Sequence, residues 1–278
     1  MPKLTISTEN SEFQIIRALK LNRTKRHQSG EAFVEGIESI KQIAQTDMEI
    51  TRIITPNIEA LSSWSKDLIR SYRNAKIIQM DNELYKSICD REEPSEIVVT
   101  VKFKSLSLEE LHLPSNPFLL IFDRPSDFGN LGSLIRSANS FGVDAILITG
   151  HGVDIYDPKV IRSSLGSVFH STIITAPSMQ EFEDWVAAQK RMNGLNVVGT
   201  DSTGETSLLN HPLTRPIAVI LGNEGGRMAQ EQLEQQLGAD GWESVLEELR
   251  AELRESRVDG AIRFPGACWL VHARNPGT

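Results

Sequence analysis

Cysteine is almost absent from this sequence, which contains two such residues among 278, Cys89 and Cys268. They are far apart, and neither belongs to a CxxC pair or stands near a group of histidines. These features argue against a disulfide framework, a zinc site and a cysteine nucleophile. The six histidines also include no close pair, so the sequence predicts no metal site.

Long hydrophobic runs are missing as well. The longest apolar runs, 118–122 and 217–221, are far too short to span a bilayer. The N-terminal stretch has neither the apolar core of a signal peptide nor the acid-poor composition of a transit segment. With 40% apolar and 24% charged residues, the composition is typical of a globular protein. We therefore expect a soluble, cytoplasmic protein of one or two domains with no membrane partner.

An excess of positive charge is also lacking, because the net charge is −8 at pH 7. Taken alone, this value argues against a nucleic-acid partner. However, residues 1–114 carry 16 basic and 17 acidic side chains, so this part is nearly neutral. Five of its basic residues follow one another with no acidic residue between them: Arg17, Lys20, Arg23, Lys25 and Arg26. Such a cluster can bind RNA phosphate, although a solvated helix face would have the same pattern.

Hydrophobic periodicity predicts a small α/β domain over residues 1–112. Helices are expected at 12–27, 37–44, 57–72 and 82–90. A short apolar segment begins at Phe33 and ends at Gly36, and short buried strands are expected at 53–54, 77–78 and 97–101. Two prolines within 113–117 limit regular structure there, so we place a linker at 113–117.

Residues 118–278 are predicted to form a second domain in which strands alternate with helices. Strands are expected at 118–122, 145–149, 171–175, 195–199 and 217–221. A polar turn is expected from Asp123 to Asn130. Helices are expected at 131–141, from Pro158 onward, at 178–192 and within 228–257. Pro158 follows Asp157 as at a helix start, and Ser178 and Glu181 have the spacing of a capping box. This alternation favours a mostly parallel sheet covered by helices on both faces.

Three segments that follow predicted strands carry the polar and glycine residues of a binding site, 127–132, 199–201 and 222–226. Ligands of open α/β sheets bind at the carboxyl ends of the strands. Gly129 and Gly132 would permit a tight turn and close backbone approach. Arg136, one turn into the following helix, would grip phosphate together with the helix N-terminus. The alternative is a structural loop in which Arg136 pairs with Asp123 or Asp127.

The segment 222–226 matches neither GxGxxG nor the P-loop pattern GxxxxGK[ST]. A nucleotide-dependent oxidoreductase is therefore disfavoured.

Taken together, these segments resemble the motifs of the SpoU family of RNA ribose 2′-O-methyltransferases, within the SPOUT superfamily. The stretch NLGSLIRSANSFG at 130–142 resembles the first motif, and DPKVIRSSLG at 157–166 resembles the segment that follows it. The stretch LGNEG at 221–225 resembles the second motif. The basic N-terminal segment and FVEG at 33–36 resemble the family's substrate-binding domain of L30e type. The resemblance covers residues 12–230.

The resemblance implies a SPOUT fold with a deep trefoil knot, S-adenosylmethionine as methyl donor, RNA as acceptor and a homodimer. The additional N-terminal domain favours rRNA over tRNA. The resemblance places Asn130, Arg136 and Glu224 at the catalytic centre, with Arg136 holding RNA phosphate and helping to activate the ribose hydroxyl. The positions expected to line the cofactor pocket are Thr200, Gly222, Asn223, Gly225 and Phe264.

The third family motif, an Ile-Pro-Met start followed by Ser-Leu-Asn, is not evident. Residues 262–266 resemble only its start, and ACWLVH at 267–272 follows where Ser-Leu-Asn is expected. Either a divergent C-terminal end or an altered reading frame in the coding sequence would produce this difference. Two functions therefore stay open, an active RNA 2′-O-methyltransferase and a non-catalytic RNA-binding or ribosome-assembly protein on the same scaffold.

Overall fold

The computed structural model describes residues 3–91, 93–176, 178–200 and 214–222, and the backbone of 257–258 and 261–262. These residues contain two five-stranded sheets, one in each half of the chain. No helix of the described residues is long and apolar enough to cross a membrane.

The N-terminal sheet is mixed, with strand order β1-β4-β3-β5-β2. Its strands are β1 (Lys3–Ile6), β2 (Glu31–Glu35), β3 (Ile50–Thr55), β4 (Lys76–Met80) and β5 (Val98–Lys102). The helices of this half are α1 (Ser11–Leu21), α2 (Arg23–Ser29), α3 (Ile37–Ile43), α4 (Ser63–Ser71) and α5 (Asn82–Ile88). Strands β1, β4 and β3 are parallel, whereas β5 runs antiparallel to both β3 and β2.

The second sheet has strand order β8-β7-β6-β10-β9, and all its strands are parallel. They are β6 (Phe118–Asp123), β7 (Ala145–Thr149), β8 (Ile173–Thr175), β9 (Asn196–Gly199) and β10 (Ile217–Leu221). Between them lie α6 (Phe128–Ser140), α7 (Pro158–Ser163), a 3₁₀ turn (Ser167–Phe169) and α8 (Met179–Asn193). Farther along, β11 (Arg257–Val258) and β12 (Ala261–Ile262) form an antiparallel pair.

Helices cover both faces of the second sheet, as the sequence predicts. Leu131 and Ile135 of α6 belong to the same buried cluster as Phe122 and Ile148, whereas Phe182 of α8 belongs to a separate cluster on the sheet. The alternating inward and outward positions of buried strands account for this separation. The family's knot is expected to involve residues beyond Gly222, so that prediction lies outside the described residues.

The two halves pack directly against each other. The cluster that contains Leu131 of α6 also contains Ile40 of α3 and Val34 of β2, so apolar packing continues from one half into the other. The intervening segment 103–117 has no helix or strand. Its Leu108 is buried, in the same cluster as Phe182. Residues near the expected linker at 113–117 are therefore packed onto the second half, while the domain boundaries themselves stay a prediction.

Several sequence-based element bounds need correction. The helix expected at 12–27 is two helices, because Asn22 ends α1 and its side-chain oxygen accepts from the backbone N–H of Lys25 at 3.1 Å, which caps α2. Strand β1 was not expected, and the helix expected at 57–72 begins only at Ser63. Helix α6 begins at Phe128, so the polar turn expected to reach Asn130 is shorter. The helices expected within 228–257 lie outside the described residues.

Candidate active site

The strand order of the second sheet creates one place, at the carboxyl-terminal edge of the strands, where a ligand is expected to bind. From β6 the chain continues to β7 and β8 on one side, whereas β10 and β9 lie on the other. Leu221 of β10 pairs with Phe122 of β6, and Ile220 pairs with Gly199 of β9. The segments that follow β6, β9 and β10 therefore leave the sheet side by side, at the topological switch point where open α/β sheets bind ligands.

Thr200 and Gly222, two of the residues that the sequence predicts to line a cofactor pocket, both lie at this edge. Thr200 is half-buried, and its backbone N–H and hydroxyl donate to the carbonyl oxygen of Ile220 at 2.9 and 3.1 Å. Gly222 is exposed, and no atom of the described residues lies within 4 Å of a Cβ built on it. Because glycine has no side chain, Gly222 itself does not block close approach of a ligand to the backbone at the end of β10. The other expected residues of the site, Asn223, Glu224, Gly225 and Phe264, lie outside the described residues.

Asn130 and Arg136 both belong to α6, which begins after β6. Asp127 caps the helix, because its carboxylate accepts from the backbone N–H of Asn130 at 2.7 Å. The side chain of Asn130 is exposed in the first turn, whereas Arg136 is half-buried about two turns from the N-terminus. The expectation that Arg136 lies one turn into its helix was wrong, since α6 begins three residues earlier than expected.

Gly132 has a different role from the expected one. Neither Gly129 nor Gly132 has a positive φ angle, since both lie within α6, and they therefore form no tight turn. A Cβ built on Gly132 would lie 2.8 Å from the backbone nitrogen of Ser164. The close approach is therefore to the end of α7 and concerns helix packing. The hydroxyl of Ser163 also lies 3.0 Å from the carbonyl oxygen of Phe128, to which it can donate.

Arg124 is a charged residue of this edge that sequence reasoning did not find. It follows β6 with a φ angle of +44°, and its guanidinium donates to the buried carboxylate of Asp123 at 2.8 and 2.9 Å. Asp123 also accepts from the hydroxyl of Thr149 at 2.8 Å. Asp123 therefore has partners from β7 and the segment after β6. The sequence carried only one signal for this arrangement, an Asp-Arg pair directly after a buried strand.

The basic cluster of the N-terminal half contains exposed residues and residues that pair with carboxylates of the protein itself. Arg17, Arg23 and Lys25 are exposed, although Arg17 lies 3.8 Å from Glu9. Lys20 is mostly buried and pairs with Asp90 at 2.7 Å, so most of its surface is not available to a partner.

Arg26 is the residue of this cluster whose predicted role needs correction. Its side chain is 2% exposed and donates to Asp154 at 2.7 Å and to Asp157 at 3.0 Å. It also donates to the carbonyl oxygens of Leu19 and Lys20. The expectation that Arg26 binds RNA was wrong, because its guanidinium is buried and its partners lie within the protein.

Arg23 connects the basic cluster to the candidate site. Its guanidinium donates to the carbonyl oxygen of Gly152 at 2.8 Å, in the segment that follows β7. Gly152 lies against Pro125, and the neighbouring Val153 N–H donates to the carbonyl oxygen of Pro125 at 2.8 Å. Pro125 belongs to the segment after β6. Arg23 therefore borders the sheet edge that carries Arg124 and the start of α6.

Comparison with known proteins agrees with this arrangement. The family model described as the SpoU rRNA Methylase family matches residues 117–237, and the model described as the SpoU L30e-like domain matches residues 10–99. The chain is 33% identical over 220 residues to a 23S rRNA (uridine(2479)-2'-O)-methyltransferase of Streptomyces viridochromogenes, covering 79% of this chain and 77% of that protein. This chain belongs to the SpoU rRNA methylase family.

Two further relatives extend the comparison. The crystal structure of the SpoU methyltransferase AviRb from Streptomyces viridochromogenes in complex with AdoMet matches with a TM-score of 0.74 and 31% identity, over 81% of this chain and 86% of that one. The 23S rRNA (guanosine(2553)-2'-O)-methyltransferase RlmP of Bacillus subtilis is 23% identical over 78% of this chain and 82% of its own. The SPOUT-class fold predicted from the motifs is confirmed by these matches.

Proposed function

We propose that this SpoU family member transfers a methyl group from S-adenosylmethionine to the 2′-oxygen of a ribose in ribosomal RNA. The single observation that carries the proposal is that the segments after β6, β9 and β10 leave one sheet edge side by side, in a chain whose relatives are named 23S rRNA 2′-O-methyltransferases. Those relatives favour an enzyme over the non-catalytic RNA-binding alternative, because the match covers 79% of this chain.

The described part of the pocket fits S-adenosylmethionine. Gly222 has no side chain that would keep a ligand from its backbone, and Thr200 is held near it by its two bonds to Ile220. When bound, the sulfonium group supplies a methyl group that is already activated for transfer. Asn223, Gly225 and Phe264 are proposed to complete this pocket.

The ribose hydroxyl that accepts the methyl group must be activated by residues of the protein. A ribose hydroxyl is a weak nucleophile at neutral pH, so its proton must be removed as the oxygen attacks. We assign to Arg136 the binding of RNA phosphate and the stabilisation of negative charge that develops on the oxygen. Asn130, whose amide can both donate and accept, and Glu224 would orient the acceptor. A requirement for the 2′-OH explains a preference for RNA over DNA.

The exposed basic residues Arg17, Arg23 and Lys25 are proposed to bind the RNA backbone near this edge. The position of Arg23 supports the assignment, because it contacts the segment after β7 that lies against Pro125. A net charge of −8 does not prevent binding when the positive charges are concentrated next to the site. We further propose that the protein acts as a homodimer, which sedimentation of the purified protein will test.

The direct test is to map ribose methylation in ribosomal RNA by mass spectrometry, in cells with and without this gene. We expect one or more 2′-O-methyl marks to disappear in cells without the gene and to return when it is supplied. Calorimetry with S-adenosylmethionine separates the alternatives, because a non-catalytic protein would bind RNA without binding the cofactor. A purified protein that neither binds the cofactor nor labels RNA contradicts the proposal.

Arg136→Ala tests the assigned chemistry. We expect methylation to fall at least about a hundredfold, because a guanidinium that stabilises a developing charge is lost. The melting temperature of the variant serves as the control, and it should show a folded protein. Full activity in this variant would remove Arg136 from the catalytic centre.

A further inference from the structure

Leu165 ends α7 in a backbone conformation that leucine rarely adopts. Its φ angle is +50°, a left-handed value that it shares, among the non-glycine residues of the described part of the chain, with Arg124 alone. The N–H of Leu165 donates to the carbonyl oxygen of Arg162, and the N–H of Gly166 donates to that of Ile161, both at 3.0 Å. These two bonds form a Schellman motif, in which glycine usually occupies the left-handed position. The helix end alone therefore favours glycine over leucine at this position.

The side chain of Leu165 is also 40% exposed, which places a large apolar group against solvent. Burial in the protein core therefore does not account for a leucine here. Asparagine tolerates the left-handed conformation and is polar, so it would suit both the backbone and the solvent. An exposed leucine in a left-handed conformation is consistent with a residue selected for contact with another molecule.

The position of Leu165 indicates which molecule that is. The two preceding residues lie against the start of α6, since Ser163 lies within hydrogen-bond distance of Phe128 and a Cβ on Gly132 would meet Ser164. Helix α6 carries Asn130 and Arg136. On the other side, a Cβ built on Gly166 would lie 2.9 Å from atoms of Ser39 and Gln42 in the N-terminal half. Leu165 is therefore at the junction between the proposed catalytic helix and the N-terminal half.

We propose that Leu165 packs against an unstacked nucleobase of the RNA substrate, at or next to the methylated nucleotide. This inference rests on the proposed function. RNA that reaches such a site is single-stranded or unstacked, and its exposed base faces must find new apolar contacts. An exposed leucine on a backbone that the Schellman motif fixes provides that contact with little loss of backbone entropy on binding. Leu165 thereby positions the ribose beside α6 without touching the reacting atoms.

The test compares three substitutions at this position in the full-length protein. Leu165→Gly relieves the strain of the left-handed backbone, so we expect an unchanged or higher melting temperature. It also removes the apolar side chain, so we expect KM for RNA to rise roughly tenfold. Leu165→Asn keeps a side chain that tolerates the backbone but is polar, and it should raise KM similarly. Leu165→Met retains apolar surface and should stay within about threefold of wild type. Affinity for S-adenosylmethionine should not change in any of them.

Met192→Ala is the matched control, because Met192 is 69% exposed on α8 and is assigned no role. It should leave KM for unmodified ribosomal RNA transcripts unchanged. A wild-type protein that labels no ribosomal RNA refutes the proposed function, and the role of Leu165 with it. If the wild type methylates RNA and Leu165→Gly retains its KM, only the role of Leu165 is refuted. A change in oligomeric state in Leu165→Gly would assign the side chain to a subunit interface and also overturn the inference.

Discussion

At the scale of single residues, Lys25 and Arg26 show how neighbours of the same charge differ in role. Lys25 is exposed on α2, whereas Arg26 is buried and bonded to Asp154 and Asp157. Asp154 is itself 4% exposed and accepts a second bond at 2.9 Å from His27. Removal of the arginine would leave a buried carboxylate without its main counter-charge. Substitutions at the two positions therefore test the proposed RNA contact separately from stability.

Arg26→Met is expected to lower the free energy of unfolding by about 3–5 kcal/mol, the usual loss when one partner of a buried ion pair is removed. Lys25→Met should leave stability within about 0.5 kcal/mol, since it changes an exposed side chain. Urea unfolding of both variants measures the difference. Equal stability of the two variants would contradict the assigned roles.

Lys25→Met should instead weaken RNA binding. Loss of one phosphate contact is expected to reduce the slope of log K against log salt by about 0.7. Filter binding at several salt concentrations gives this slope. An unchanged slope would exclude Lys25 from the RNA contact.

At the scale of elements, α7 joins the two halves. Asp157 at its N-terminus binds Arg26, and Arg162 near its C-terminus lies 3.2 Å from Asp90 of the N-terminal half. Its last residues pack on α6 beside Gly132. One short helix therefore contacts both the N-terminal half and the helix that carries Arg136.

Asp90 makes part of this contact dependent on pH. Burial raises the pKa of its carboxyl, but the hydrogen bonds and charges of Lys20 and Arg162 outweigh burial and hold the pKa below its ordinary value. A carboxyl with a lowered pKa stabilises the fold above its ordinary pKa, and this contribution is lost as the pH falls through the folded-state pKa.

Asp90→Asn is therefore expected to lower stability near pH 7 and to weaken the loss of stability between about pH 5 and pH 2. Unfolding measured across this range tests the prediction. Asp67→Asn is the control, because Asp67 forms an exposed pair with Arg70 on α4. If the free energy of unfolding falls equally with decreasing pH in Asp90→Asn and in wild type, the Asp90 contact does not couple stability to pH.

At the scale of the whole molecule, the halves are joined by apolar packing as well as by charge. One buried cluster includes Ile53 of the first sheet, Ile40 of α3, Ile161 of α7 and Ile148 of the second sheet. Phe103 and Tyr156 stack across the same junction with their ring centroids 3.7 Å apart. Separation of the halves would expose this surface, which favours a common unfolding transition.

We expect the described parts of the two halves to unfold together. Trp64 lies in the first half and Trp185 in the second, so variants that retain only one of the chain's four tryptophans, either Trp64 or Trp185, report on each half. Their fluorescence transitions in urea should have midpoints that coincide, as in a two-state process. Clearly separate midpoints would contradict this expectation and indicate two independent folding units.

Local pattern in the sequence determined much of this fold. The strands 145–149 and 217–221 were predicted with their observed bounds, because continuous apolar runs between polar residues indicate buried strands. Asp157 and Ser178 were correctly predicted to precede α7 and α8, since capping depends on residues only a few positions apart. The motif order also placed Thr200 and Gly222 at one sheet edge, while the roles of the individual site residues stay predictions.

Only the tertiary structure decided what depends on residues far apart in the chain. Burial of Arg26 follows from Asp154, 128 positions away, and the partner of Gly132 is the end of α7. The break at Asn22 was not predicted, because residues 23–29 contain no apolar residue whose spacing could mark a second helix. The left-handed backbone at Arg124 and Leu165 had no signal in the sequence. The burial of Arg26 and the close approach at Gly132 depend on which distant surfaces meet, and hydrophobic pattern alone does not encode that choice.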